Sequence, residues 1–266
     1  QAYDLIMNNK SALGVLLVYK DEKVDSDLDF QRSIKNRNLS QIKKESDFVL
    51  GSIGAGNHAS RILLPSFKKA GARLKIVSSS QGLSGSQVTK KIGFEFNTTD
   101  NNLIMADKEV NVIAISTRHD SHAALVKEGL NNNKHIFVEK PIALNQHQLD
   151  EIRKTYLDLQ KKGHEPKLMI GFNRRFSPLA QRMKEVIDRS KIPFSMIYTC
   201  NAGEMPHEHW LHNSEIGGGR IIGEACHFID LARYFASSPI KSINGVYMPE
   251  SGDEKAKKDT AIISIS

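Results

Sequence analysis

Apolar residues recur along this chain in two different periods. Short apolar runs bounded by glycine or polar clusters, at residues 48–53, 73–77, 110–116, 135–138 and 168–172, read as strands. The run at 110–116 is continuous, as expected of a strand buried on both faces. Between these runs the spacing is helical: Ile62, Leu63 and Phe67 mark a helix over 57–70, and further helices are predicted at 88–92, 122–132 and 144–162. Strands and helices that alternate at this pace imply a parallel sheet with right-handed crossovers. After a helix at 182–188 the pattern changes to partly alternating strands at 193–199, 240–247 and 259–266, separated by turns. The reading is therefore α/β, with a doubly wound parallel sheet over 47–165 and an α+β domain with a mostly antiparallel sheet over 166–266. Ahead of both, a helix at 2–9 and a strand at 14–19 lead into a charged stretch, 20–46, which reads as an exposed linker.

Composition narrows the class. At 266 residues, 39% hydrophobic and 25% charged, the chain can bury an ordinary core. It has no apolar run of membrane-spanning length and no basic start followed by an apolar stretch, so a cytoplasmic protein with no membrane partner is expected. Cys200 and Cys226 sit in no metal-binding pattern and are expected as free thiols. The net charge of +7 comes from lysines and arginines scattered among acids. That pattern suits a mildly basic surface better than a nucleic-acid interface, and it would also attract an anionic cofactor.

The sequence from Gly54 to Ala59, Gly-Ala-Gly-Asn-His-Ala, has the form GxGxxA between a predicted strand and a predicted helix. There the first glycine allows the tight turn, the second lets a pyrophosphate approach the backbone, and the small alanine lets helix and strand pack closely. Gly54, Gly56, Asn57 and His58 are accordingly expected at a dinucleotide, on the positive end of the helix. About twenty residues on, where an acid would receive a ribose hydroxyl, the chain instead reads Ser78-Ser79-Ser80-Gln81. Ser79 is the expected contact there, and both NAD and NADP stay open as the cofactor.

Glu139-Lys140-Pro141, at the end of a predicted strand, resembles the EKP signature of the Gfo/Idh/MocA oxidoreductase family. Thr117 with His119 and His122 resembles that family's loop after the fourth strand, with Arg118 where a proline is usual. Gly171 to Phe176 is similar to its GxNxRF segment, and Gly217-Gly218-Gly219 leading to His227 and Asp230 is similar to its GGG…HxxD helix. The resemblance implies a Rossmann fold and hydride transfer between a nicotinamide and a sugar, cyclitol or related polyol. It further implies cofactor contacts from Thr117, His122, Glu139 and Lys140, and substrate contacts from Arg174 and Arg175. The expected partners are the small-molecule substrate and further copies of the chain in a homo-oligomer.

In that chemistry Lys140 stabilises developing alkoxide and His227 takes the hydroxyl proton. Standing alone, Lys140 reads equally as a surface lysine and His227 as a hydrogen-bonded helix residue. The family's sugar-oxidising members carry an aspartate four residues before the histidine, where this chain has Gly223 followed by Glu224. On a regular helix Glu224 shares a face with His227, so it is the expected substitute and the residue expected to tune that histidine. The stretch from Met205 to His212 holds His207, His209 and His212 with Glu208, in no recognised ligand spacing. It is read as a substrate loop, with His209 and the sole tryptophan, Trp210, facing a sugar, and no metal is expected. Residues 2–6 and 14–19 resemble the closing helix and strand of a zinc-dependent medium-chain alcohol dehydrogenase, fused ahead of the rest, and the alternating end at 262–266 is expected to be cut within a sheet. A non-catalytic dinucleotide-binding sensor or scaffold is the competing function.

Overall fold

A computed structural model describes residues 32–37, 39, 46–190, 192–206, 208–247 and 260–266. The helix and strand expected at 2–9 and 14–19, and the resemblance they carry, lie outside the described residues. His207 does too.

Seven strands form one sheet: β1 (Ser33–Lys35), β2 (Val49–Ile53), β3 (Arg73–Ser78), β4 (Phe96–Thr98), β5 (Val112–Ile115), β6 (His135–Val138) and β7 (Leu168–Ile170). Their order is β1-β4-β3-β2-β5-β6-β7, parallel throughout except for β1. From β2 the chain builds outward through β3 and β4, then crosses to the other side of β2 to lay down β5, β6 and β7. This is the doubly wound Rossmann order, and its reversal between β2 and β5 opens a crevice at the C-terminal ends of those strands. β7, which follows residue 165, completes the same sheet.

Alternation along the strands sorts the core into two layers. Ile113 and Ile115 of β5 pack on one face with Ile104, Val126, Leu130 and Ile152. Leu50 and Ala114 pack on the other with Ala59, Leu64, Val88 and Phe94. Each fully buried large side chain contributes about 1.5–3 kcal/mol relative to exposure. The helices that supply these layers are α1 (Leu64–Lys69), α2 (Leu83–Val88), α3 (Asn102–Ala106), α4 (His122–Asn131) and α5 (Gln146–Lys161). A π-helical turn, Ala59–Leu63, runs directly into α1, so the helix expected over 57–70 starts with a widened turn.

Beyond the sheet lie α6 (Pro178–Ser190), α7 (Cys226–Ala236) and an antiparallel pair, β8 (Ile243–Tyr247) with β9 (Ala261–Ile265). Two expectations need correction. The stretch 193–199 is not a strand: Met196 packs with Ala180, Leu231 and Phe235 of α6 and α7, and Tyr198 stacks on Phe228 at 4.8 Å. Two of its side chains thus have partners while its backbone joins no ladder, and a ladder is what defines a strand. The stretch 20–46 is not all linker, because Ser33–Lys35 pairs with β4. Asn36 secures that edge by donating from Nδ2 to the carbonyls of Thr89 (3.1 Å) and Phe94 (3.0 Å). Three residues held by backbone pairing and one amide leave no apolar period to read.

Candidate active site

The loops after β2, β3, β5, β6 and β7 all leave from one edge of the sheet. Gly54 N–H donates to Ser78 O, Ser116 N–H to Ile53 O, Glu139 N–H to Ile115 O and Gly171 N–H to Val138 O, each at 2.8–2.9 Å. The GxGxxA turn, the 117–122 loop and the EKP corner are therefore neighbours around the crevice.

Gly54 has φ +106°, and a Cβ there would stand 2.7 Å from the backbone carbon and oxygen of Ser116. Glycine is thus required by both conformation and contact with β5's end. A Cβ on Gly56, by contrast, would meet no protein atom within 4 Å. Ala59 is buried against the core as the motif's third position demands. Asn57 and His58 are exposed at the helix start, and His58 Nε2 lies 3.1 Å from Glu139 Oε1, linking the turn to the EKP corner. Glu139's oxygens in turn come within about 3 Å of the position a Cβ would take on Gly171, which leaves room for the carboxylate only because that residue is glycine.

Three expected cofactor contacts have their polar groups engaged by the protein itself. Ser79 is buried and its Oγ accepts from Gly85 N–H at 3.0 Å, at the start of α2, so only Ser80 and Gln81 are exposed there. Thr117 Oγ1 lies 2.6 Å from Ser121 Oγ. His122 is completely buried, with Nδ1 2.8 Å from Pro141 O and Nε2 3.2 Å from Thr117 O. It ties the 117–122 loop to the EKP corner instead of facing the crevice.

Lys140 is the hub on the other side. Its Nζ donates to the carbonyl of Gly223 at 2.6 Å and to Glu224 Oε1 at 3.1 Å. Glu224 thus hydrogen-bonds Lys140 and not His227 as regular helical spacing predicts, although its charge still acts to raise the pKa of that imidazole. The cause is local: Ile221–Ala225 forms a π-helical turn before α7, and a wide turn breaks the i, i+3 relation between Glu224 and His227. The absent family aspartate has a physical counterpart as well. A Cβ on Gly223 would stand 2.6 Å from Leu211 Cδ1 and 3.2 Å from His119 Cε1, so that space is filled.

His227, in the first turn of α7, is 7% exposed, and its Nδ1 is buried with no hydrogen-bond partner among the described residues. Burial, helped by the nearby charges of Lys140 and Arg174, pushes the imidazole down to about 4, so it is neutral at physiological pH. A buried polar atom without a partner costs about 1–3 kcal/mol. Such a cost is retained where a ligand supplies the missing group.

The two arginines of the 171–176 segment separate in role. Arg175 makes a two-pronged ion pair with the buried Asp230 of α7. Arg174 is exposed, with its guanidinium 4.8 Å from the Phe228 ring. His209 and Trp210 are half-buried with ring centroids 5.6 Å apart, and Trp210 also meets His119 edge-on at 4.8 Å. The sequence marks His119 only as part of the 117–122 loop motif and gives it no role, because one histidine in a loop carries no signal that separates a structural contact from a functional one. Cys200 and Cys226 are free, and burial pushes the Cys226 thiol up to about 11. Among the described residues, no three of His, Cys, Asp and Glu gather as metal ligands, and no helix is long and apolar enough to cross a membrane.

Comparison with known proteins agrees with this layout. The chain is 27% identical over 223 residues to the uncharacterized oxidoreductase YrbE of Bacillus subtilis (strain 168), an overlap of 82% of this chain and 63% of that protein. It is 29% identical over 200 residues to that organism's scyllo-inositol 2-dehydrogenase (NAD(+)), covering 74% of this chain and 55% of the relative. The chain thus spans less than two thirds of either relative's length. Among solved structures, levoglucosan dehydrogenase in complex with NADH and levoglucosan shares the fold at a TM-score of 0.68 and 22% identity, over 82% of this chain and 63% of that one. Residues 48–165 match the family model described as the oxidoreductase family's NAD-binding Rossmann fold, GFO_IDH_MocA.

Proposed function

We propose that this chain transfers a hydride between a nicotinamide dinucleotide and a carbinol carbon of a sugar, cyclitol or related polyol. The observation that carries the reading is that Lys140, held by Glu224, lies near enough for its charge to act on an orphaned, neutral His227 beside a Rossmann switch point. The crevice suits a dinucleotide: the backbone at Gly56 is open, and the start of the helix that follows is where an anion would be received. Gly54, Gly56, Asn57 and His58 would hold the pyrophosphate side, with Glu139 and Lys140 toward the nicotinamide. When bound, that group supplies the hydride acceptor or donor. Inositol- and levoglucosan-oxidising relatives favour NAD, and the lack of an acid after β3 leaves NADP as the second form to test.

The protein's own part is proton chemistry. Loss of hydride from a carbinol requires its hydroxyl proton to be taken and its oxygen to be stabilised as charge develops. His227 has a ring nitrogen free for that proton, and Lys140's ammonium can hold the oxygen while Glu224 orients it. Arg174, His209 and Trp210 are the proposed substrate contacts. Because β7 belongs to the cofactor sheet, we place the division between cofactor and substrate domains after residue 170 and not near 166, and the exposed Ile243, Val246 and Ile262 of β8 and β9 support a homo-oligomer.

The competing sensor or scaffold reading draws on Gly223, which lacks the family's acid. A panel of sugars, inositols and polyols assayed with NAD and with NADP at 340 nm separates the two. Reduction of either cofactor by one polyol, lost in Lys140→Ala, is expected. Tight cofactor binding with no turnover across the panel would favour the sensor.

A further inference from the structure

We propose that His119 is a positioning residue that holds the Gly223–Glu224 turn onto Lys140 and couples it to the Trp210 loop. His119 opens the 3-10 turn after β5 and is 8% exposed. Its Nδ1 lies 2.9 Å from the Gly217 carbonyl, and because a carbonyl only accepts, that nitrogen carries the proton and donates. The next residue repeats the tie, with Asp120 N–H donating to Ile216 O at 3.1 Å. The glycine triplet is thereby fixed to the β5 loop by two consecutive residues.

The rest of the ring does two further things. Its edge meets Trp210 at 4.8 Å, and its Cε1, together with Leu211 Cδ1, lines the space that a Cβ on Gly223 would take. Gly217 is itself locked, since a Cβ there would stand 2.4 Å from Leu211 Cα. Gly223, packed against these two side chains, accepts from Lys140 Nζ through its carbonyl, and the neighbouring Glu224 accepts from the same group. One imidazole therefore touches the glycine triplet, the tryptophan and the turn that binds the lysine. Burial keeps it below the ordinary imidazole value, so at neutral pH it adds no second charge beside Lys140.

The kinetic arm of the test rests on the proposed function, and the labelling arm does not. Trace acetylation by acetic anhydride, quantified by peptide mass spectrometry against the exposed Lys161, reports how firmly Lys140 Nζ is held. His119→Ala and His119→Phe, which lacks the ring N–H, should each raise Lys140 labelling several-fold. His119→Gln, whose amide can donate to the Gly217 carbonyl, should restore most of the protection. On a verified substrate, His119→Phe should slow single turnover by up to about 10²-fold, as small misplacements of a reacting group do, with cofactor affinity unchanged. A chain without turnover would fail the kinetic arm alone. Unchanged Lys140 labelling in the folded Phe variant, or labelling in the Gln variant as high as in Phe, would overturn the positioning role. The comparison of Phe with Gln decides even if the Ala variant does not fold.

Discussion

At the scale of single residues, the site depends on two groups in opposite states: an ammonium clasped by a carboxylate and a carbonyl, and an imidazole with one nitrogen left bare. Lys140→Ala and His227→Ala should each lower the single-turnover rate by about 10² to 10⁴, with little change in cofactor affinity. The pH dependence follows from burial. With His227 at about 4, the base stays unprotonated down to that pH, so the acidic limb of kcat/KM should fall near 4 and not near 6.5. The same shift bears on stability: an imidazole depressed on folding binds fewer protons in the folded state, so stability is lost as pH drops from about 6.5 toward 4. His227→Gln should flatten that dependence between pH 7 and pH 5 in urea unfolding, though not abolish it, since His119 is depressed in the same direction. An identical slope in the variant would mean that His227 is not buried as described. The lysine, the histidine and the glutamate were all legible in the sequence. Their pairing was not, because the π turn at Ile221–Ala225 changes which side chains share a face and leaves no mark in the apolar period.

At the scale of elements, the strands easiest to read were those buried on both faces. β2, β5 and β6 show as largely apolar runs because both layers of the core draw apolar side chains from them. β4 and α3 were missed: Phe96–Thr98 contains the polar Asn97 and Thr98, both buried, and Asn102–Ala106 is a single short turn of helix. Elements that short are set by their neighbours and not by their own pattern. The loops were legible as motifs but not as contacts, and Ser79, Thr117 and His122 show why: each is a polar residue at the right edge of the sheet, yet each serves the scaffold. The most exacting junction is Gly54, where β2 hands over to the turn. Gly54→Ala combines a left-handed backbone with a 2.7 Å approach to Ser116, and it should cost at least about 1–3 kcal/mol in chemical denaturation. A variant as stable as the wild type would show that β2 and β5 do not close as described.

For the molecule as a whole, a net charge of +7 gains meaning from the switch-point crevice, where helix starts and strand ends give an anion a place to bind. Gly54 and Gly56 make that place testable because they differ: the first is filled by protein on folding, the second is not. A valine at position 56 therefore has room in the folded chain but occupies the space in which a pyrophosphate would meet the backbone. The direct measurement is titration calorimetry of NADH and NADPH on wild type and Gly56→Val, with circular dichroism to confirm that both fold. Binding by the wild type, weakened at least about tenfold, or roughly 1.4 kcal/mol, in the variant is the expected result. Equal affinity in the two folded proteins, or no binding by the wild type to either nucleotide, would contradict it.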